Sequence, residues 1–95
     1  MPRKATEPKN SKNQKFAFTA PSALSVQLVG DFTHWGKHPI SLRKNPDGVW
    51  FVAVDLEPGR HRYRFLVDGE WADDPDCTLR LPNPYGTEDA IREVA

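Results

Sequence analysis

The stretch Tyr63-Arg64-Phe65-Leu66-Val67-Asp68-Gly69-Glu70-Trp71 does most to limit what this chain can become. Its aromatic and aliphatic residues recur at every second position, and a β-strand, not a helix, sends alternate side chains to one face. Asp68-Gly69 is the dipeptide that a two-residue type I′ hairpin selects, because both central residues need positive φ. That register sets Val67 opposite Glu70, Leu66 opposite Trp71 and Phe65 opposite Ala72. Tyr63, Phe65 and Val67 then form the inward face, which leaves Arg62, Arg64, Leu66 and Trp71 on the outer one. A tryptophan is therefore expected outside the core, with Arg64 diagonal to it and within reach of its ring.

The same period of two continues through Phe16 and Phe18, Val26 and Leu28, and Trp50, Val52, Val54 and Leu56. Turn chemistry separates these runs. Asn45-Pro46-Asp47-Gly48 has proline at the second place of a type I turn, and Glu57-Pro58-Gly59 suits a type II turn. Strands are expected near 15–20, 25–31, 40–44, 49–56, 60–67, 70–73 and 88–94. Seven short antiparallel strands imply an all-β fold, an immunoglobulin-like sandwich of two sheets, with a small closed barrel as the structural alternative.

A chain of 95 residues holds one small domain. A single cysteine, Cys77, can form neither an internal disulfide nor a thiolate metal cage, so the core must be apolar and a cytoplasmic, reducing setting is expected. No apolar run approaches the roughly 20 residues that span a bilayer, and the polar start is unlike a secretory signal, so no membrane is expected. Thirteen Lys and Arg balance thirteen Asp and Glu, but unevenly. Arg3, Lys4, Lys9, Lys12 and Lys15 face only Glu7 in the first fifteen residues, leaving eight bases and twelve acids in the rest. Residues 1–14, with no aromatic and no repeated apolar spacing, read as a disordered basic arm, and residues 15–95 as the folded β domain.

Three features present aromatic or polar groups outward. Trp71 stands beside Arg64; Trp35 lies in the loop Gly30-Asp31-Phe32-Thr33-His34-Trp35-Gly36, where one of Phe32 and Trp35 is expected to plug the core; and a proline-stiffened loop, Leu81-Pro82-Asn83-Pro84-Tyr85-Gly86-Thr87, presents Tyr85 and Thr87. Exposed rings with neutral hydrogen-bonding groups suit a sugar, whose C–H faces stack while its hydroxyls need donors and acceptors. A nucleobase reader would add a basic groove, and the folded part is slightly acidic, so no nucleic acid is expected there. Packing tryptophans at a sheet edge are the plainer reading of the same residues.

Sharper chemistry finds less support. Glu70, Asp73, Asp74 and Asp76 form the densest carboxylate cluster, yet they surround a short strand and a proline turn without a cleft for a two-carboxylate hydrolysis, and they lack the spacing of a calcium loop; a solvated surface is expected. His34 and His38 are four apart in a loop rather than on a helix, and His61 shares the inward parity of Tyr63. Cys77 reads as a small packing residue. No catalytic residue, metal or cofactor is expected.

Taken together, Val29-Gly30-Asp31-Phe32-Thr33-His34-Trp35, Val49-Trp50, Leu56-Glu57-Pro58-Gly59, the hairpin from Tyr63 to Trp71 and Asp74-Pro75 resemble the glycogen-binding domain of AMP-activated protein kinase β subunits. That is carbohydrate-binding module family 48, found also at the N-termini of isoamylases and glycogen-branching enzymes, and the resemblance covers residues 16–94. It implies an immunoglobulin-like sandwich of the early-set type that binds α-1,4-linked glucans without metal or catalysis. Trp35 and Trp71 take the places of the stacking tryptophans, and Arg64 stands where the kinase domains have a binding lysine. Tyr85-Gly86-Thr87-Glu88-Asp89 matches the sugar-binding loop; Thr87 is kept in type, while Tyr85 replaces a leucine and Asp89 an asparagine. The expected carbohydrate-binding set is thus Trp35, Arg64, Trp71, Tyr85, Thr87 and Asp89. Ending at Ala95, the chain reads as a free-standing module, with a glycogen-metabolism enzyme or a kinase as candidate protein partner. A protein-interaction adaptor that keeps the fold without sugar affinity is the alternative.

Overall fold

The inward aromatic residues of two sheets meet face to face. In a computed structural model describing residues 11–95, nine strands run antiparallel in two layers. They are β1 (Lys12–Thr19), β2 (Val26–Gly30), β3 (Ile40–Ser41), β4 (Arg43–Lys44), β5 (Val49–Leu56), β6 (Gly59–Val67), β7 (Glu70–Ala72), β8 (Arg80–Pro82) and β9 (Glu88–Val94). One layer has the order β1-β5-β4; the other has β3-β2-β6-β9-β8, with β7 also paired to β6. This is the expected all-β sandwich, consistent with the immunoglobulin-like early-set type.

Across the layers Phe16 meets Tyr63 edge-on at 4.9 Å between centroids, and Phe18 meets Phe65 at 5.0 Å. Val26, Leu28, Leu56, Ala90 and Val94 close the core around them, and Trp50 joins it with its indole N–H donating to the Ala20 carbonyl at 2.9 Å. Phe32, stacked on Phe16 at 6.1 Å, is the residue of its loop that packs on the core. Cys77 also packs against it. Among the described residues no helix is long and apolar enough to cross a membrane.

The hairpin has the register that its alternation predicts: Phe65 faces Ala72, Leu66 faces Trp71 and Val67 faces Glu70. Asp68 at φ 51° and Gly69 at φ 85° make the type I′ turn. The Asp68 carboxylate accepts from the Leu24 and Ser25 amides at 2.8 and 2.9 Å, tying the turn to the start of β2.

Four expectations are corrected. Lys12, Asn13 and Gln14, assigned to the disordered arm, belong to β1: the ladder with β5 reaches Lys12 opposite Leu56, and the Asn13 amide donates to Asp55 at 3.0 Å. Backbone pairing on an exposed strand does not need apolar side chains. Of the remainder, residues 1–10 lie outside the described residues. The single strand expected over 40–44 is two, because the chain changes sheets at buried Leu42, whose N–H donates to Val26 O. Leu81 and Pro82, expected in the proline-stiffened loop, instead belong with Arg80 to the edge strand β8, where Pro82 costs no ladder bond if its missing N–H faces outward. Asp74, expected in a solvated cluster, is only 5% exposed and accepts the Tyr63 hydroxyl at 2.6 Å.

That last bond joins core to surface. Burial, reinforced by the hydrogen bond to Asp74, raises the Tyr63 pKa far above that of a free phenol. The Asp74 carboxylate also accepts from the Asp76 amide, and its carbonyl from Arg80, so the loop after β7 is anchored on the core.

The loop after β2 is held as closely. Its end, Gly30, has no space for a side chain, since a Cβ there would run into the Arg62 carbonyl oxygen and lie 2.8 Å from the Phe32 ring. Thr33, buried, accepts from the Gly30 N–H at 2.9 Å and has the Trp35 and Gly30 carbonyl oxygens at 2.8 and 3.0 Å for its single hydrogen. That bracket sustains two successive non-glycine residues in the left-handed region, His34 at φ 53° and Trp35 at φ 54°, a conformation costing on the order of 1–3 kcal/mol per residue.

Replacing Tyr63 by Phe leaves the buried Asp74 Oδ2 without its donor and should lower unfolding free energy by about 1–3 kcal/mol in urea titrations. Because the folded-state pKa of Tyr63 is raised, the wild type should lose stability above about pH 10, where an unfolded tyrosine ionises, and its margin over Tyr63→Phe should narrow there. Thr33→Val preserves shape but removes the hydroxyl; it should cost about 1–3 kcal/mol and shift the Trp35 indole resonance while leaving that of Trp50 in place.

Candidate functional site

The outer face of the larger sheet carries a concavity of about 1000 Å³. It arises from the parity of β6: with Tyr63 and Phe65 committed to the core, Arg62 and Arg64 stand side by side on the outside. The loop after β2 supplies Trp35 and Gly36, β7 supplies Trp71, and the turn between β8 and β9 supplies Asn83, Pro84, Tyr85 and Thr87, with Asp89 from β9. All six residues singled out from the sequence therefore line one surface, although they come from four separate segments.

Trp71 is 52% exposed, and the Arg64 guanidinium lies 5.2 Å from its ring centroid. Arg64 Nε donates to Asp73 at 3.0 Å, so the cation is fixed by a carboxylate on one side and an indole on the other. The diagonal contact expected across the hairpin is present, and Asp73, read as surface acid, is its anchor. Trp35, also on the lining, is partly buried and held by the Thr33 bracket.

The loop carrying Tyr85 repeats a turn found elsewhere in the chain. Asn83-Pro84-Tyr85-Gly86 has the pattern of Asn45-Pro46-Asp47-Gly48, and the bonds correspond. Asn45 Oδ1 accepts from the Asp47 and Val49 amides at 3.0 Å each; Asn83 Oδ1 accepts from the Tyr85 and Thr87 amides at 3.0 and 3.2 Å. Gly48 and Gly86 have φ 83° and 86°. Tyr85, 89% exposed, is thus presented at the tip of a fixed turn. The Thr87 hydroxyl is engaged by the Asn83 side chain, 2.8 Å from Nδ2 and 3.1 Å from Oδ1.

Among the described residues Asp89 is the only carboxylate lining the concavity, and it is 3% exposed. One of its oxygens accepts from Arg62 Nη1 at 3.1 Å and the other from Asn83 Nδ2 at 2.9 Å. Arg62 and Asn83 were not singled out from the sequence. The outward parity shared with Arg64 was the available signal for Arg62, and the second Asn-Pro-x-Gly turn was the signal for Asn83. The carboxylate cluster expected after β7 is not gathered here: Asp73 and Asp74 each serve a protein partner. His34 and His38 lie ring edge to ring face at 6.1 Å in the loop before β3.

Chemically, the concavity offers two indoles, an exposed phenol and guanidinium N–H groups, and its one carboxylate among the described residues is paired. Such a surface suits an uncharged polyhydroxyl ligand with apolar faces better than a polyanion.

Comparison with known proteins agrees in extent with these elements. A family model described as the glycogen recognition site of AMP-activated protein kinase matches residues 13–93. The chain is 47% identical over 70 residues to the pig 5'-AMP-activated protein kinase subunit beta-1, covering 73% of this chain and 53% of that protein. It is 39% identical over 70 residues to the human protein of that name, covering 24% of it. It is also 32% identical over 83 residues to the 1,4-alpha-glucan branching enzyme GlgB of Synechococcus sp. (strain JA-2-3B'a(2-13)), matching 85% of this chain but 10% of the enzyme. The chain thus spans about half the length of the pig relative and much less of the others. By sequence and fold, it belongs to the family of the glycogen recognition site of AMP-activated protein kinase.

Proposed function

We propose that the chain binds α-1,4-linked glucan, such as glycogen, starch or malto-oligosaccharides, without transforming it. The observation that carries this reading is the convergence of Trp35, Trp71, Arg64 and the Tyr85–Thr87 turn on one concavity whose charges are already paired. Trp71 and Trp35 stack on the apolar faces of glucose units, and Tyr85 adds a third ring at the rim. Arg64 and the groups around Thr87 meet hydroxyls. Hydrolysis through two carboxylates has no support: Asp89 is the single lining carboxylate among the described residues, and both its oxygens are bonded.

Binding of this kind is weak. Two stacked rings contribute about 0.5–1.5 kcal/mol each beyond area burial, which with a few exposed hydrogen bonds gives a Kd of roughly 10⁻³ to 10⁻⁵ M. The role we propose is targeting, in the cytoplasm, of a glycogen-metabolism enzyme or a kinase to its polysaccharide; the names of the relatives and a lone cysteine support that setting.

A ¹⁵N–¹H titration with maltoheptaose and β-cyclodextrin tests the reading directly. The indole signals of Trp35 and Trp71 should move while that of Trp50, in the core, stays still. No movement at millimolar sugar would sink the glucan reading and favour a protein-interaction adaptor. Trp71→Ala should weaken binding at least tenfold, with an unfolding free energy within about 0.5 kcal/mol of wild type because the ring faces solvent. Raising salt from 50 to 200 mM should leave affinity for the neutral sugar nearly unchanged, unlike the steep loss of a phosphate reader.

A further inference from the structure

Arg62 is held as a ligand-reading group would be. One of its nitrogens, Nη1, is committed to the protein, donating to the Pro82 carbonyl and to Asp89 Oδ2, each at 3.1 Å. Asp89 is itself fixed from the other side by Asn83. The guanidinium therefore has a set orientation, its charge is met by a buried carboxylate, and its side chain is 38% exposed in the concavity. Among the described residues, Nε and Nη2 have no acceptor.

Arg64 mirrors this arrangement. Its Nε is committed to Asp73 and its plane lies against Trp71, while Nη1 and Nη2 have no acceptor among the described residues. The two arginines are two positions apart on β6, about 7 Å along one face. Each is neutralised by its own aspartate and presents two adjacent N–H directions from a rigid plane. Adjacent donors in a plane match two neighbouring oxygens, and paired charges favour neutral oxygens over anions. The vicinal hydroxyls of a glucose unit have that geometry.

We propose that Arg62 is a glucan-binding residue that reads vicinal hydroxyls through Nε and Nη2, and that Asp89 acts through it as a positioning residue rather than touching sugar. This rests on the glucan reading above. The acid at position 89 then has a physical reason: a partly buried guanidinium without a counterion would carry an uncompensated charge.

The test uses maltoheptaose and calorimetric titration of the whole chain. Arg62→Lys keeps a cation beside Asp89 but loses the planar pair of donors; Arg62→Met keeps the stem alone. Both should bind about tenfold more weakly, with amide spectra of a folded domain. In the wild type, the Arg62 Nε–H resonance should move on sugar addition. Asp89→Asn should weaken binding in the wild-type background and have no further effect in Arg62→Lys, whereas a carboxylate touching sugar directly would cost the same in both. Should Arg62→Met fail to fold, Arg62→Lys and the wild-type Nε–H signal still decide. Wild-type affinity in Arg62→Lys with a still Nε–H signal overturns the assignment of Arg62 alone. Failure of the wild type to bind maltoheptaose overturns the glucan reading and this inference with it.

Discussion

Strand β6 has to satisfy two opposite environments with one backbone. Its ladder is paired with β2 on one side and with β9 and β7 on the other, so its register cannot slip without breaking three interfaces. Tyr63 and Phe65 fill the space between the sheets; Arg62 and Arg64 must then emerge together on the other face. A shift of one residue would bury two guanidinium groups and expose two aromatic rings. Core and concavity are thus two readings of the same nine residues, and neither can change independently.

Around that strand, each wall of the concavity is stiffened by a different device. The wall carrying Trp35 depends on a buried hydroxyl and on a glycine too crowded to be replaced. The wall carrying Tyr85 depends on an asparagine whose side chain collects the turn's amides. The floor depends on two ion pairs that set the planes of the arginines. None of these devices is apolar. Burial of Phe16, Phe65 and Trp50 holds the sheets together, while short polar contacts decide where the exposed rings sit.

Much of this was legible in the sequence because strand periodicity and hairpin chemistry are local. Asp68-Gly69 alone fixes the pairing that brings Trp71 to the outside, and with it the contact to Arg64. What escaped depended on neighbours distant in sequence. Asp74 looks like any acid beside a proline until Tyr63, eleven residues earlier, is found over it. The sheet change at Leu42 leaves no composition signal, since a continuous strand and one broken between layers share the same residues. Pro82 argued against a strand, and only its edge position makes one acceptable there. The second Asn-Pro-x-Gly turn was readable by comparison with the first, but its value comes from where β8 and β9 place it.

The chain of contacts from Phe16 through Tyr63 to Asp74, and from the neighbouring Asp73 to Arg64, has a consequence for how the domain opens. A ligand-contacting loop usually belongs to the least stable cooperative unit of a protein, and frays without disturbing the rest. Here the loop after β7 is fastened to the aromatic centre by a buried phenol. Separating Asp73 and Asp74 from the sheet would expose that phenol and the layer behind it. The Arg64 side of the concavity, held through Asp73, is therefore tied to the opening of the core.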